Sequence, residues 1–158
     1  MKNLLLYIVV FFLTNAAKGQ QQTSSDVPQQ LSQAYSNRFP SAKLIKWERG
    51  IDQYVACFSE NGSPTRAYFT SGGEWIRTET YTRNKKNLPA GIKQGLRNSA
   101  YNGWSIDSAT EIQSKDQSMV RLKVSEWYNY PEGQRQVCRL YFTMDGNLIN
   151  KEILPLTR

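Results

Sequence analysis

Two glutamates, Glu79 and Glu152, are the residues whose types and spacing come closest to a catalytic pair. They end two similar stretches of the chain, residues 66–79 (RAYFTSGGEWIRTE) and 139–152 (RLYFTMDGNLINKE). Paired carboxylates carry out glycoside hydrolysis, in which one is the acid and the other is the nucleophile or base. Carboxylates are also ordinary on the polar face of a strand, so the pair alone does not predict a glycosidase.

Other catalytic or metal-binding groups are missing from the sequence. There is no histidine, which removes Ser-His and Cys-His nucleophile pairs and nearly all zinc sites built on imidazole. No phosphate-binding glycine loop and no cysteine pair at metal spacing is present, and Asp145-x-Asn147 is too short for a calcium loop. We therefore expect a protein that is not an enzyme and that uses no metal or cofactor.

The two cysteines, Cys57 and Cys138, fall in strands predicted in different halves of the chain. Export from the cytoplasm would permit a disulfide between them. A bridge needs Cα atoms within about 7 Å, however, and two strands that are not neighbours do not offer that distance. The alternative is that both are small apolar residues of the core.

The two similar stretches predict an internal duplication. Seven of their fourteen aligned positions are identical, and each reads as a β-hairpin, with aromatic residues and threonine before a glycine-containing turn. Before each hairpin, apolar residues recur every four positions after a proline, which predicts a short helix. These residues are Val27, Leu31, Tyr35 and Phe39 in the first half, and Leu88, Ile92 and Leu96 in the second.

Four strand-like runs follow each predicted helix, at residues 42–49, 53–60, 65–71 and 74–82, and at residues 104–113, 117–128, 134–143 and 147–153. We therefore predict an α+β fold of two tandem repeats, residues 27–82 and 88–153, each a helix plus a four-stranded antiparallel meander, with helices on one face of the sheet. One such unit of about 60 residues is marginal alone. Both repeats should therefore share a single domain over residues 27–158.

The first nineteen residues are predicted to be a signal peptide cleaved after Gly19, with Lys2, an apolar run from Leu4 to Leu13 and a polar end at Gly19. The alternative, a membrane anchor, is weakened because ten apolar residues span only about 15 Å as a helix. Residues 20–26 are predicted to be a disordered lead. Without Lys2 and Lys18, the 20 basic and 13 acidic residues leave a mature charge of about +5. That charge is mild, and its one short cluster, Arg83-Asn84-Lys85-Lys86, is more typical of a solvated loop, so no nucleic-acid partner is expected.

The register of the first hairpin decides which aromatic residues are exposed. A two-residue turn at Gly72-Gly73 would put Trp75, Tyr68 and Arg77 on the face opposite Phe69. A three-residue turn would pair Phe69 with Trp75 instead. In either register some Tyr, Trp and Arg should lie on the face away from the helices, and these residue types form binding hot spots. Tyr68 and Arg77 are the candidates on that face, although aromatic residues there could simply extend the core.

A second candidate contact lies at the tip of the long hairpin in the second half, residues 127–133 (WYNYPEG). Trp127, Tyr128 and Tyr130 give three large aromatic residues within four positions, which is more than a turn requires. The alternative is that these side chains fold back onto neighbouring strands.

The order of these motifs resembles the PepSY-like family of exported bacterial proteins. The matching residues are Phe39-Pro40-x-Ala42, Trp47, Tyr54-x-Ala56-x-Phe58, Gly62, Ala67-x-Phe69, Gly73-x-Trp75, Thr78-Glu79 and Leu88-Pro89. The resemblance implies a fold like that of β-lactamase inhibitor protein, with one curved sheet. It also implies a location in the envelope of a Gram-negative bacterium of the Bacteroidetes type and no enzymatic activity. Trp47, Phe58, Phe69 and Trp75 match the aromatic core of the family, whereas the second half departs from the pattern with Leu148 in place of Trp75.

The function expected from these features is non-catalytic and inhibitor-like. The protein should use an open sheet face and the aromatic hairpin tip to contact another envelope or secreted protein, such as a hydrolase. The alternative is a carrier or sensor of a small apolar or glycan ligand, which requires an apolar pocket of about 300 Å³ or more.

Overall fold

The described part of the chain alternates helix, four strands, helix and four strands. The computed structural model describes residues 27–82, 87–127 and 135–155. The elements are α1 (Gln29–Arg38), β1 (Leu44–Arg49), β2 (Gln53–Glu60), β3 (Ser63–Thr70), β4 (Trp75–Thr82), α2 (Ala90–Arg97), β5 (Ser105–Ser114), β6 (Ser118–Trp127), β7 (Arg135–Thr143) and β8 (Leu148–Leu154). The predicted signal peptide (1–19) and lead (20–26) lie outside the described residues, as do Tyr128 and Tyr130.

Both helices begin just after a proline and bury an apolar stripe. Pro28 and Pro89 are the N-cap residues, where the missing N–H of proline costs no helical hydrogen bond. Leu31 and Tyr35 are the buried residues of α1, and Ile92 and Leu96 are those of α2. The four-residue spacing predicted from the sequence is therefore confirmed. Within the described ranges, neither helix has the length and apolar character needed to cross a membrane.

The eight strands form one antiparallel sheet in which spatial order follows chain order, from β1 at one edge to β8 at the other. Tight turns need backbone conformations that glycine supplies, and Gly62, Gly73 and Gly146 all have positive φ. The two halves meet in the middle through β4 and β5, where Thr78 pairs with Gln113. A single sheet therefore runs through both halves.

The register of the first hairpin is the one that pairs Phe69 with Trp75, and Tyr68 pairs with Arg77. The shift between these two pairs adds one residue to β4, so that Phe69 and Trp75 face the helix while Tyr68 and Arg77 face away. The other register, with Trp75 beside Tyr68 and Arg77, is wrong. The second hairpin shows the same shift, with Phe142 paired with Leu148.

Each helix covers its own cluster of buried side chains, and both clusters lie on the same face of the sheet. Tyr35 of α1 packs against Phe39, Trp47 and Phe58 with ring centroids 5.4–6.0 Å apart. Phe58, Phe69 and Phe142 are almost completely buried. Around α2 the cluster is mostly aliphatic, and its members are Leu88, Ile92, Leu96, Tyr101, Ala109, Val120, Leu122, Val124, Cys138, Leu140 and Phe142.

Each helix also rests on the turn that closes the last hairpin of its half. A Cβ atom added to Gly73 would lie 3.3 Å from the carbonyl oxygen of Gln30 in α1. In the second half the contact is closer, because a Cβ on Gly91 would lie 2.9 Å from the carbonyl group of Asp145. A Cβ on Gly95 would lie closer still to the carbonyl oxygen of Gly146. Helix α2 therefore contacts the β7–β8 turn through backbone, with no room for side chains.

Both cysteines are free. Cys138 is buried in the cluster below α2, as expected of a small apolar core residue. Cys57 is different, because it lies on the opposite face of the sheet, where it pairs with Arg66 and Lys46. The prediction of a core position was therefore wrong for Cys57, since the strand alternation sends it away from the helices.

Candidate protein-binding surface

Among the residues that the structure describes, no helix lies on one whole face of the sheet, and we call it the open face. Successive residues of a strand point to opposite faces, so the register with the buried clusters identifies the open-face positions. Its larger side chains are Lys46, Glu48, Val55, Cys57, Arg66, Tyr68, Arg77, Glu79, Tyr81, Ile112, Met119, Arg121, Lys123, Arg135, Val137, Arg139, Tyr141 and Glu152.

Tyr68 and Arg77, the two open-face candidates from the sequence, form one stacked pair. The guanidinium carbon of Arg77 lies 3.7 Å from the centroid of the Tyr68 ring, in a cation–π contact. The stack leaves Tyr68 only 8% exposed. What the pair presents to solvent is therefore the guanidinium group of Arg77, and the Tyr68 ring supports it from below.

Glu79 lies between two arginines at the centre of the open face. Its carboxylate accepts hydrogen bonds from Arg77 Nε at 2.9 Å and from a terminal nitrogen of Arg121 at 3.1 Å. Burial pushes the pKa of this carboxyl upward, but the two arginines outweigh burial and hold the pKa below its usual value. Glu79 is therefore ionised near neutral pH, which makes it unsuited to act as a general acid.

The carboxylate pair suggested by the sequence does not form a glycosidase site. Glu79 is in β4 and Glu152 is in β8, so four strand spacings of about 4.8 Å, roughly 19 Å in all, separate them. Glycosidase carboxylates stand about 5–9.5 Å apart. Glu152 is instead paired with Arg139 at 3.2 Å. The two glutamates pair with different arginines and do not share a reaction centre.

Positive charge exceeds negative charge over the described open face. Glu48 contacts both Lys46, at 2.8 Å, and Arg66. Near the start of β7, Arg135 donates to Asp107 at 2.7 Å and to the buried Ser125 at 2.8 Å. Asp107 thus joins Glu48, Glu79 and Glu152 as the fourth carboxylate of the open face. Beside these four stand seven basic side chains, which are Lys46, Arg66, Arg77, Arg121, Lys123, Arg135 and Arg139.

Acid should weaken the fold in part through Glu79. The pKa of Glu79 is lower in the folded protein than in the unfolded chain, where it is near 4.5. The ionised carboxylate therefore makes its whole contribution to stability above about pH 4.5, and this contribution is lost as the pH falls through the pKa of the folded state. The Glu79→Gln variant should therefore lose less unfolding free energy than the wild type between about pH 5 and pH 3. Urea denaturation at a series of pH values measures this.

The matched control for that experiment is Glu111→Gln, which removes an exposed carboxylate from the other face. Its stability should follow the wild-type pH dependence. Parallel pH curves for wild type and Glu79→Gln would show that the two arginines do not stabilise the Glu79 carboxylate.

The aromatic hairpin tip is described only at its base. Trp127 ends β6 and pairs with Arg135 at the start of β7. The prediction that Trp127, Tyr128 and Tyr130 form a recognition loop remains untested. The hydrogen-bonded group of Asp107, Ser125 and Arg135 lies beside this base and links β5, β6 and β7.

The sequence reasoning missed Arg66 and Arg121 as open-face residues. A usable signal was present in β6, where the basic Arg121 and Lys123 alternate with Val120, Leu122 and Val124. That period of two predicts one buried and one exposed face. Alternation cannot reveal that Arg121 meets Glu79, because β4 and β6 are not neighbouring strands.

A groove of about 520 Å³ lies on the helix-bearing face, between the end of α2 and the edge strand β8. It is lined by Gly95, Asn98, Ser99, Ala100, Tyr101, Gly146, Asn147, Leu148 and Lys151. In the first half the matching place holds Trp75, with the Arg38 guanidinium 3.4 Å from its ring centroid. Leu148, where the second half departs from the family pattern, leaves this space open. Among the described residues, no three His, Cys, Asp or Glu side chains come together to hold a metal ion.

Comparison with known proteins gives one family and several similar structures. The family described as "Putative beta-lactamase-inhibitor-like, PepSY-like" matches residues 13–63 and 52–150. A protein from Bacteroides eggerthii DSM 20697, described among "putative periplasmic proteins", is 25% identical, with 80% of this chain and 88% of that chain covered and a TM-score of 0.69.

Two further crystal structures share the fold. A DUF2874 family protein from Bacteroides uniformis ATCC 8492 is 24% identical, with 80% of this chain and 88% of that chain covered and a TM-score of 0.71. A BLIP-like protein from Bacteroides fragilis NCTC 9343 is 24% identical, with 80% and 86% covered and a TM-score of 0.70. No curated protein matches the chain significantly.

Proposed function

The chain belongs to the PepSY-like, beta-lactamase-inhibitor-like family, and from that membership we propose that it is a non-catalytic, inhibitor-like protein that binds another protein through its open face. The observation that carries the proposal is the ordered layer of arginine and tyrosine on that face. An antiparallel sheet often leaves one face in water, so a bare face alone would be weak support.

The order of the open-face side chains favours binding over simple solvation. Arg77 is held by the Tyr68 ring below it and by Glu79 beside it. A solvated arginine loses rotamer freedom when it binds, whereas a side chain that is already fixed loses less. Arginine and tyrosine are also the residue types that most often form hot spots. The open face is therefore prepared for contact at a low entropic cost.

The aromatic tip is the second part of the proposed surface. Trp127 ends β6, and Tyr128 and Tyr130 follow it in the sequence before β7 begins at Arg135; both strands carry open-face residues. A loop held at the end of a rigid hairpin is a common place for recognition residues. We propose that the tip and the open face contact the same partner.

We propose a periplasmic location for the protein. The secretory pattern of residues 1–19 and the periplasmic description of the Bacteroides eggerthii relative favour the periplasm of a bacterium of the Bacteroidetes type. The partner would then be an envelope or secreted protein, such as a hydrolase.

We also propose that residues 27–82 and 88–153 are two copies of one unit within a single domain, 27–158, and that they form the curved sheet typical of this fold. Supporting this, both last hairpins show the same register shift.

Protein capture from a periplasmic extract of a Bacteroides strain tests the proposed surface. We expect a face variant, Met119→Ala/Tyr141→Ala, and a tip variant, Trp127→Ala/Tyr130→Ala, each to capture the partner at least about tenfold more weakly than wild type. Binding is measured by quantitative mass spectrometry after capture on the immobilised protein. The matched control is Gln94→Ala/Arg97→Ala, on exposed positions of α2.

Identical partner lists for all four proteins would contradict the proposed surface, as would the absence of any enriched protein. Each variant must first show the wild-type circular dichroism spectrum. Met119 and Tyr141 are partly exposed, so their truncation leaves the buried clusters intact.

A small-ligand carrier or sensor is the second candidate, because the groove between α2 and β8 exceeds the size that such a site needs. Its lining is mixed, with apolar Tyr101 and Leu148 beside polar Asn98 and Lys151. Small-ligand binding by a carrier would be insensitive to the face variant. It would instead respond to Leu148→Asp, which places a charge in the groove.

A further inference from the structure

The charges of the open face indicate what kind of partner it fits. We propose that the open face binds an acidic segment of its protein partner, with the guanidinium groups of Arg77 and Arg121 receiving a carboxylate from that segment. This inference rests on the proposed function, because it names the chemistry of the partner at the same surface.

The first observation is the uneven pairing of charges. Glu79 is shared by Arg77 and Arg121, and Glu48 is shared by Lys46 and Arg66. Within the described residues, Lys123 forms no ion pair, although it lies directly opposite Arg139. The described open face thus has an excess of three positive charges, out of a mature excess of about five for the whole chain. The other described residues carry seven basic and seven acidic side chains, so among the described residues the net positive charge lies on this face.

The second observation is that hydrogen-bond donors remain at the centre of this excess. Glu79 takes one N–H from the Nε of Arg77 and one from a terminal nitrogen of Arg121. A guanidinium group has five N–H donors in a planar fork, so each arginine keeps donors that Glu79 does not use. The side chains of Arg77 and Arg121 are 33% and 27% exposed. A carboxylate from outside can therefore reach both.

The third observation distinguishes an acidic protein from a continuous polyanion. Glu48, Glu79 and Glu152 are spread through the basic residues from β1 to β8. A nucleic-acid backbone would pass close to these carboxylates, and like charges in contact are costly. A protein surface can place single carboxylates opposite the arginines and uncharged groups opposite the glutamates. The mosaic of the open face fits the second kind of partner.

A synthetic acidic peptide provides a direct probe. The probe is a fluorescein-labelled 14-residue peptide of alternating Glu and Ser, and binding is measured by fluorescence anisotropy. We expect binding to wild type at about 0.05 M salt, and loss of most of it at about 0.5 M salt because charge attraction is screened. The same peptide with Gln in place of Glu should not bind.

Two variants with the same loss of charge separate the open face from overall charge. Arg66→Gln/Lys123→Gln/Arg139→Gln removes three exposed or partly exposed cations from the open face without touching Glu79. Lys43→Gln/Arg49→Gln/Arg97→Gln removes three exposed cations elsewhere. We expect about a tenfold weaker affinity for the first and less than a twofold change for the second. Equal effects would overturn the inference, because they would show attraction by net charge alone.

A substitution of Glu79 should raise the affinity for the acidic peptide instead of lowering it. In the Glu79→Gln variant, the donors of Arg77 and Arg121 are no longer engaged by an internal carboxylate, so the acidic peptide should bind about threefold more tightly. Glu111→Gln, which makes the same change in net charge on the helix-bearing face, should bind as wild type does. An unchanged affinity for Glu79→Gln would place the peptide away from the two arginines and overturn the inference.

Two further outcomes decide between the inference and its alternatives. Tighter binding of a 14-nucleotide single-stranded DNA than of the peptide, with the same dependence on the open-face cations, would identify a polyanion site and overturn the inference.

Capture from extract tests the acidic character of the partner separately from the proposed protein-binding function. If Met119→Ala/Tyr141→Ala abolishes capture while the open-face charge variant captures normally, the open face binds a partner that is not acidic. The proposed function then stands and this inference fails.

Discussion

Replacing Phe142 with alanine is expected to lower the free energy of unfolding by about 3–5 kcal/mol. The ring is completely buried below α2, in contact with the cluster that joins β6, β7 and the helix. Removing the ring loses the free energy gained by burying it and leaves a cavity that the backbone cannot close, because β7 is hydrogen-bonded to a strand on each side. Phe69→Ala should cost the same amount for the same reason, because Phe69 occupies the matching place below α1.

Urea denaturation, followed by tryptophan fluorescence, measures both effects. The control is Tyr81→Ala on the open face, where the side chain is 36% exposed and less free energy is lost. The two phenylalanines belong to separate clusters, so the double variant should lose the sum of the two values to within about 0.5 kcal/mol. A loss under about 1 kcal/mol for either single variant would contradict its buried position.

Much of the fold follows from local patterns in the sequence. The strands are predicted to within about two residues, because alternating β-forming residues and glycine turns mark both strand and boundary. Their pairing as neighbours follows from the short turns between them. The pairing of β4 with β5 could not be predicted in the same way, because the connection between these strands contains α2. The register of the β4–β5 pair depends instead on how the whole sheet packs.

The open face was predicted only in part, for a physical reason. Tyr68 and Arg77 were identified because they are neighbours across a short hairpin. The partner of Glu79, Arg121, comes from the other half of the chain. Without that arginine Glu79 resembles a catalytic carboxylate, and with it Glu79 is a paired and ionised group. Residue types indicated the chemistry, but tertiary pairing decided its role.

The backbone contact between α2 and the β7–β8 turn makes Gly95 a position where two effects of opposite sign compete. In an isolated helix, Gly95→Ala would stabilise by about 1 kcal/mol, because alanine is the better helix former. In the folded protein the new Cβ would collide with the carbonyl group of Gly146. A rotamer change cannot relieve a clash with backbone, so the helix or the turn must move and loosen the cluster around Ile92 and Leu96.

We expect the clash to dominate, and Gly95→Ala to lower the free energy of unfolding by about 3 kcal/mol. Gly72→Ala is the matched control, because its nearest neighbour would be a side-chain oxygen of Thr70 at 3.7 Å, and it should change stability by less than about 1 kcal/mol. Thermal unfolding of both variants, monitored by circular dichroism, gives the comparison. If Gly95→Ala proved as stable as wild type, or more stable, helix propensity would outweigh the contact. Helix α2 would then be free to move on the turn, and the groove beside β8 would change its width with it.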